Sequence, residues 1–438
     1  MNINFQALGC RLNEAEIESW ADEFMRQGHQ VTTASDEADV VVFNSCAVTA
    51  QADRKSRQQI GRLHRANPDA RLVVTGCHAS LNADAVRDYL GVDLVIDNHD
   101  KESLVDETLR HFAPEPETVQ VGDSQNALLL RGRHRGFIKV QDGCRYRCTY
   151  CIVTLARGEE RSRSSAEIVE QIKRLHDQGI QEIALTGVHV GGYGSDIDSS
   201  LYSLLSEILE HTAIPRIRLA SVEPWDLPEH FFDLFEDARL MPHMHLPLQS
   251  GSDSVLRRMA RRCKTREFAR LVETARRRVP GFNVTTDLIV GFPGESEQEW
   301  RETLDFVEQV GFGHMHIFPF SPRAGTKAAR LPGQLDGIVK KARSAEMHAL
   351  AAELKRRELA RHLGKTAEVL WEQRLGDGGP WIGYTPHYHK IQCSDNSIRG
   401  ATIGSVSIDA LSDDGTMLVN RPSKQVPLNA LLGHGSTA

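Results

Sequence analysis

Nothing in the 438 residues approaches the roughly 18 consecutive apolar positions that a bilayer-spanning helix needs. A helical membrane protein is therefore excluded. The opening MNINFQALGC has neither a charged leader nor a long apolar segment, so no secretory signal is expected and the chain is read as cytoplasmic. Thiols stay reduced in that compartment. The eight cysteines thus point to metal or catalytic chemistry before disulfides. Excess positive charge is missing too: the formal net charge is −7, and any nucleic-acid contact has to rest on local patches. The turn IVGFPGE (289–295) lacks the lysine and spacing of a P-loop.

What is present is a repeating alternation. INFQAL (3–8), DVVVFN (39–44), RLVVTG (71–76) and VDLVI (92–96) each precede an amphipathic helical stretch. That order predicts an α/β fold with a doubly wound parallel sheet over residues 1–112. The polar, proline-containing 113–129 reads as a linker. Six further strand signals follow between 130 and 362: GFIKVQ, EIALTG, RIRLAS, HMHLPL, NVTTDLIVGF and HMHIFPF. They predict a β/α barrel, complete or partial, of about six units with a trailing helix. Its active site is expected at the strands' C-terminal ends. Short strand patterns over 363–430 predict a small β-barrel module.

Cys144, Cys148 and Cys151 form a C-x₃-C-x₂-C run just after the first of those six strands. Three thiolates without a histidine or fourth cysteine at zinc-ribbon spacing suit a [4Fe–4S] cube with one open iron. The alternative is a zinc knuckle. Cys10, Cys46 and Cys77 each lie just past the end of a predicted parallel strand, along the sheet edge where such folds bind ligands. They could hold a second cluster, or act as small buried hydrophobes. Cys263 and Cys393 are read as ordinary thiols.

CRYRCTYC resembles the cluster motif of radical S-adenosylmethionine enzymes, including Tyr150 before the third cysteine. LGCRLNEAEIE, NSCAVTAQADRKSRQ and VVTGCHAS resemble the amino-terminal cysteine segments of methylthiotransferases. The resemblance runs on through ARGEERSR, LTGVHVGGYG, LASVEP, HLPLQSGSD, TDLIVGFPGESE and FPFSPRAGT, covering essentially the whole chain. The last module, with GYTPHYHKIQC, resembles the RNA-binding TRAM domain.

The resemblance implies two [4Fe–4S] clusters. The one on Cys144, Cys148 and Cys151 binds S-adenosylmethionine and generates a radical; the one on Cys10, Cys46 and Cys77 supplies sulfur. It also implies a flavodoxin- or ferredoxin-like electron donor. Tyr150, Glu223, Gln249, Ser250 and Asp287 are candidates to contact S-adenosylmethionine, with structural hydrogen bonding as the alternative for each strand-end residue. RLN after Cys10 and CAVTAQADRKSRQ resemble the branch acting on N6-threonylcarbamoyladenosine in tRNA. Isopentenyladenosine, a ribosomal-protein aspartate, and a non-catalytic electron carrier are the other readings. A threonylcarbamoyl carboxylate needs a cation or hydrogen-bond donors; Arg11, Arg145, Arg147 and Arg157 are candidates.

For RNA, the segment 257–278 offers ten basic and two acidic residues, RGRHR (131–135) could join it, and 363–430 carries six basic and seven acidic. Phosphate contact or a solvated helix face are the two readings of the basic segment. Trp371, Trp381, Tyr384 and Tyr388 are candidates for base stacking or for core packing.

Overall fold

Strand β3 (Val40–Ser45) is buried along its whole length, as a central parallel strand covered on both faces must be. Alternate side chains enter two different layers. Val40 and Val42 join Ile3, Phe5, Ile17, Trp20 and Phe24 on one side; Val41 and Phe43 join Ile60, Leu63, Leu72 and Val74 on the other. The sheet has the order β2 (Gln30–Thr32), β1 (Asn2–Ala7), β3, β4 (Arg71–Gly76), β5 (Leu94–Val95), with every pairing parallel. The expected strand at 92–96 is thus only two residues long.

This computed structural model describes residues 1–113, 134–376 and 378–420. All of the expected linker except Ala113, most of RGRHR, and positions 421–430 of the expected last module lie outside those residues. The chain divides into two compact units, Met1–Glu358 and Leu359–Ala438.

Six further parallel strands complete the first unit. β6 (Arg135–Lys139), β9 (Glu182–Thr186) and β10 (Arg216–Leu219) form one three-stranded sheet. β11 (His243–His245), β12 (Asn283–Val290) and β13 (His314–Pro319) form another. Isolated parallel bridges, Ile217↔Leu240 and Ser221↔His245, link the two. β11 stops short of the expected 243–248; Pro247 has no N–H to donate to a ladder. A short antiparallel pair, β7 (Gln141–Asp142) with β8 (Arg161–Ser162), interrupts the alternation after β6.

At the N-terminal end of the first three strands, buried Glu182 faces Arg135, Arg216 and Arg218. Burial works against its charge, but the three guanidiniums hold its pKa down to about 2. The helix Gly337–Ala360 runs back along the unit: Trp300 Nε1 donates to Glu346 at 2.7 Å, and Arg343 pairs with Glu295 at 2.7 Å.

The second unit is a six-stranded sheet in the order β17 (Ile403–Ser407), β14 (Thr366–Arg374), β15 (Trp381–Tyr384), β16 (Lys390–Cys393), β19 (Leu418–Asn420), β18 (Ala410–Leu411). Only β16 and β19 pair in parallel. Val369, Trp371, Ile391, Cys393, Ile408 and Leu418 are its core. Gly383 is required there: a Cβ would lie 2.4 Å from Val369 Cγ1 and 2.6 Å from the Leu370 carbonyl.

Candidate active site

The β7–β8 pair closes the base of the loop that carries Cys144, Cys148 and Cys151. Gly143, at φ +69°, makes the turn into it, and a Cβ would fall 1.8 Å from the Glu159 carbonyl oxygen. The Cys144 N–H donates to the Gly158 carbonyl at 3.1 Å, and Cys151 N–H to Cys148 at 3.0 Å. Thr149 ties the loop outward: its N–H donates to Met259 at 3.0 Å and its carbonyl accepts from Ala328 at 2.8 Å. All three cysteines are half-buried. Loss of water pushes the Cys144 thiol up to about 12, and the charges of Glu223, Cys151 and Cys148 add to it. Cys151 rises to about 11, again first by desolvation. Three thiols on one loop, two of them resisting ionisation on their own, are a donor set that a cationic metal centre completes.

Cys10, Cys46 and Cys77 follow β1, β3 and β4, as their positions in sequence predict. Cys10 caps the helix Arg11–Arg26 and Cys77 begins the helix Cys77–Leu81. Cys10 is exposed; Cys46 and Cys77 are buried. The strand ends come close enough that a Cβ on Gly9, at φ +109°, would lie 2.6 Å from Cys46 Sγ. Desolvation raises Cys46 to about 11, with the charges of Cys10 and Cys77 reinforcing it. Cys77 is packed with Ala47 and with Ala156 of the barrel-side helix Val153–Arg157. Its charge also acts on Cys151. The structure therefore brings the two cysteine sets beside one another.

Arg157 joins the halves. Fully buried, it donates to Glu16 and Asp142, both at 2.9 Å, and to Asn13 Oδ1 at 2.7 Å. The same Asn13 oxygen accepts from Cys10 Sγ at 3.5 Å. Lys101 Nζ adds a 2.7 Å contact to Glu16. Burial favours a neutral Glu16, yet the guanidinium and the ammonium hold its pKa well below the usual carboxylate range. Arg157 is thus committed to a protein network. Arg145 is likewise paired, with Glu160 at 3.2 Å and Asp226 at 3.4 Å, and Arg147 pairs with Glu159 at 3.1 Å. Arg11 lies over the Phe137 ring at 5.9 Å.

The strand-end candidates separate by environment. Glu223 is 9% exposed; its Oε2 makes no hydrogen bond among the described residues and stands 3.7 Å from His189 Nε2. Desolvation raises its pKa, and its charge reaches Cys144. A buried carboxylate oxygen beside the cysteine loop that accepts no hydrogen bond leaves room for a further donor, such as an amino group. Gln249 sits at φ +76°, a strained value for a residue with a side chain; its backbone N–H donates to Asp287 at 2.8 Å, and its side-chain amide makes no hydrogen bond among the described residues. Ser250 braces its loop instead, with its hydroxyl 3.3 Å from Thr303 Oγ1 and accepting from Ser252 N at 3.2 Å. Tyr150 lies within electrostatic reach of Arg261, Cys148, Cys151 and Asp287. Asp287 pairs with His245 at 3.2 Å.

IVGFPGE is held by Glu295, which accepts from Gly291 N at 2.9 Å, and Gly291 abuts Lys340 of the trailing helix. Its glycine is explained by packing. Cys263 and Cys393 are buried in the two cores.

Two features escaped the sequence reading. Glycine precedes Cys10, Cys77 and Cys144, with positive φ at all three; the repeated Gly-Cys dipeptide was the available signal. The second is His189, buried between Glu160, which bonds Nδ1, and Asp226, 2.7 Å from Nε2. Burial alone would lower its pKa, but the two acceptors carry it up to about 9. It is a charged brace under Tyr146, whose ring centroid is 4.8 Å away.

Residues 138–307 match the family model described as Radical SAM superfamily, and residues 2–97 match Uncharacterized protein family UPF0004. The chain is 35% identical over 404 residues to the threonylcarbamoyladenosine tRNA methylthiotransferase MtaB of Bacillus subtilis, covering 89% of each. It is 34% identical to the tRNA-2-methylthio-N(6)-dimethylallyladenosine synthase of Bacillus pumilus, covering 83% of this chain and 75% of that one. Among solved structures, the radical S-adenosylmethionine methyltransferase TsrM of Kitasatospora setae superposes with a TM-score of 0.56 at 16% identity, over 75% of this chain and 77% of that one. That likeness shows the fold.

Proposed function

The chain belongs to the radical S-adenosylmethionine methylthiotransferase family, and on that premise we propose that it methylthiolates C2 of N6-threonylcarbamoyladenosine, 3′ of the anticodon in tRNA. Membership implies S-adenosylmethionine and a [4Fe–4S] cluster. Cys144, Cys148 and Cys151 would hold that cluster, and Cys10, Cys46 and Cys77 a second one. When bound, the first supplies the electron that cleaves S-adenosylmethionine and the second supplies the sulfur; a flavodoxin- or ferredoxin-like protein is the electron source.

The observation that carries this reading is the meeting of the two sets through Cys77, Ala156 and Cys151. A single electron-carrying cluster would need no second set at its side. Glu223, whose charge reaches Cys144, and Gln249, which pairs with Leu288 of β12, are the residues we assign to S-adenosylmethionine, while Ser250 braces the loop of Gln249. Arg157 and the glycines before the cysteines fix where the thiols point.

The relatives named for threonylcarbamoyladenosine support that nucleoside, as do the cysteine surroundings. We assign the second unit to RNA contact as a TRAM-like module. Trp371 belongs to its core, whereas Tyr384 and Tyr388 stack at 5.1 Å and offer a ring pair. In the basic segment, Arg258 pairs with Glu299 and Arg276 caps the carbonyls of Val310 and Gly311. Arg266, Arg270 and Arg277 remain exposed for phosphate.

Nucleoside mass spectrometry of tRNA from a deletion strain and its complemented parent tests the reading. Loss of 2-methylthio-N6-threonylcarbamoyladenosine in the deletion alone is the expected result. Its persistence, with loss of the isopentenyl analogue, would assign the dimethylallyl substrate instead.

A further inference from the structure

The sheet β11–β12–β13 has one face in the core and one outside it. Side chains alternate along a strand, and Met244, Val284, Leu288, Val290 and Met315 enter the apolar core. The opposite face carries His243, His245, Thr285, Asp287, His314, His316 and Phe318. Register places Thr285 beside His314 and Asp287 beside His316. The histidines of β11 are occupied: His243 Nε2 and His245 Nδ1 contact Thr285 Oγ1 at 3.1 and 3.0 Å, and His245 Nε2 contacts Asp287 at 3.2 Å. Those of β13 are different. His314 and His316 are exposed, with ring centroids 4.9 Å apart, and no hydrogen bond engages their ring nitrogens among the described residues.

This face is within electrostatic reach of residues beside both cysteine sets. Asp287 acts electrostatically on Tyr150, which also feels Cys148 and Cys151. Arg11, the residue after Cys10, acts on His316. Phe318 is 42% exposed, and its ring stacks with His316 at 6.4 Å, giving a flat apolar surface beside the imidazoles.

The same residues raise a choice between cation and anion. Ligating atoms of His245, Asp287 and His316 lie within 4.8 Å of one another, a possible metal set. However, Asp287 is the one carboxylate of that set and already contacts His245 Nε2 at 3.2 Å, while Arg11 and Lys355 bring positive charge to His316 and His314. Partial desolvation lowers both rings, His314 to about 4 with His316 and Lys355 adding to it, and at His316 it outweighs the opposing charge of Asp287. Neutral rings still donate an N–H each. Two imidazole N–H donors with the positive charge of Arg11 nearby suit a carboxylate acceptor.

We propose that His314 and His316, with Arg11 alongside, bind the carboxylate of the substrate's N6 substituent and so select an anionic nucleoside over an apolar one. This rests on the threonylcarbamoyladenosine reading above. The test uses the reconstituted full chain with tRNA bearing N6-threonylcarbamoyladenosine, and the same tRNA with that carboxylate converted to its methyl ester. Wild type should favour the acid over the ester in kcat/KM by about tenfold, the scale of a charge-assisted hydrogen bond. His314→Ala/His316→Ala should lose that preference, mainly through KM, and His316→Gln, which keeps a donor, should restore part of it. Both rings are exposed, so the double variant should fold; a melting temperature near wild type confirms it. An undiminished acid preference in the double variant overturns the proposal and leaves the nucleoside reading intact. No product from either tRNA with wild type, but product from dimethylallyladenosine tRNA, overturns the nucleoside reading itself.

Discussion

Cys144, Cys148 and Cys151 sit on one loop, held by a two-residue strand pair and a glycine turn, whereas Cys10, Cys46 and Cys77 come from three strand ends that meet only when the sheet is in register. The first set is local in sequence, and its geometry is set mainly by the loop's own hydrogen bonds, with Thr149 tying it to Met259 and Ala328. The second is assembled by topology, and its surroundings include Asn13, tied to Arg157 from the other half of the unit. A local site should fail only when its own residues change; an assembled one should also fail when distant supports are lost.

The largest effects should separate the two sets by chemistry. Cys148→Ala should reduce 5′-deoxyadenosine formation from S-adenosylmethionine to background. Cys46→Ala should still form it while giving no methylthiolated tRNA. Reconstituted wild type should hold about eight irons, two four-iron cubes, and Cys10/Cys46/Cys77→Ala about half. Unchanged iron in that triple variant would remove the second cluster and with it the comparison.

Next is the shared support. Arg157→Met would leave Glu16 and Asp142 buried with only Lys101 and Lys139 to offset them. Breaking a buried network in this way costs about 3–5 kcal/mol, readable as a lower denaturant midpoint at unchanged slope. Iron loss should fall on the Cys10 set first. Equal loss from both sets would mean that the network serves folding alone.

Smaller still is Gly9→Ala. The residue's φ of +109° and the 2.6 Å approach to Cys46 Sγ disfavour any Cβ. The conformational part is about 1–2 kcal/mol. The expected signature is about half the iron, with S-adenosylmethionine cleavage retained.

The same contrast explains what could be read in advance. A three-cysteine loop is visible as spacing because its ligands are neighbours. The second set was visible because Cys10, Cys46 and Cys77 share a place after apolar strands, and the alternation of Val40–Phe43 between two core layers shows why such a strand forms. Arg157 was not visible. It reads as an exposed-loop arginine free for substrate, and only folding brings it to Glu16, across 141 positions of sequence. His189 was hidden for the same reason: its partners Glu160 and Asp226 lie on other loops. Trp371 shows an open choice that packing decides: of base stacking and core packing, it takes the core.

The smallest effect belongs to Arg147, on the same cysteine loop as the residues whose loss is most severe. Its pair with Glu159 is 3.1 Å long, but the side chains are 75% and 68% exposed. Water screens such a pair, and holding two long side chains in one geometry opposes it, so it is worth about 0–1 kcal/mol. Arg147→Ala should therefore shift stability by no more than about 0.5 kcal/mol, leave iron content unchanged, and become indistinguishable from wild type at high salt. Arg157, ten positions further on, carries the same charge and differs only in burial and partners. If Arg147→Ala instead proved as damaging as Arg157→Met, the cysteine loop would depend on surface charge, and its description as a self-contained local site would be wrong.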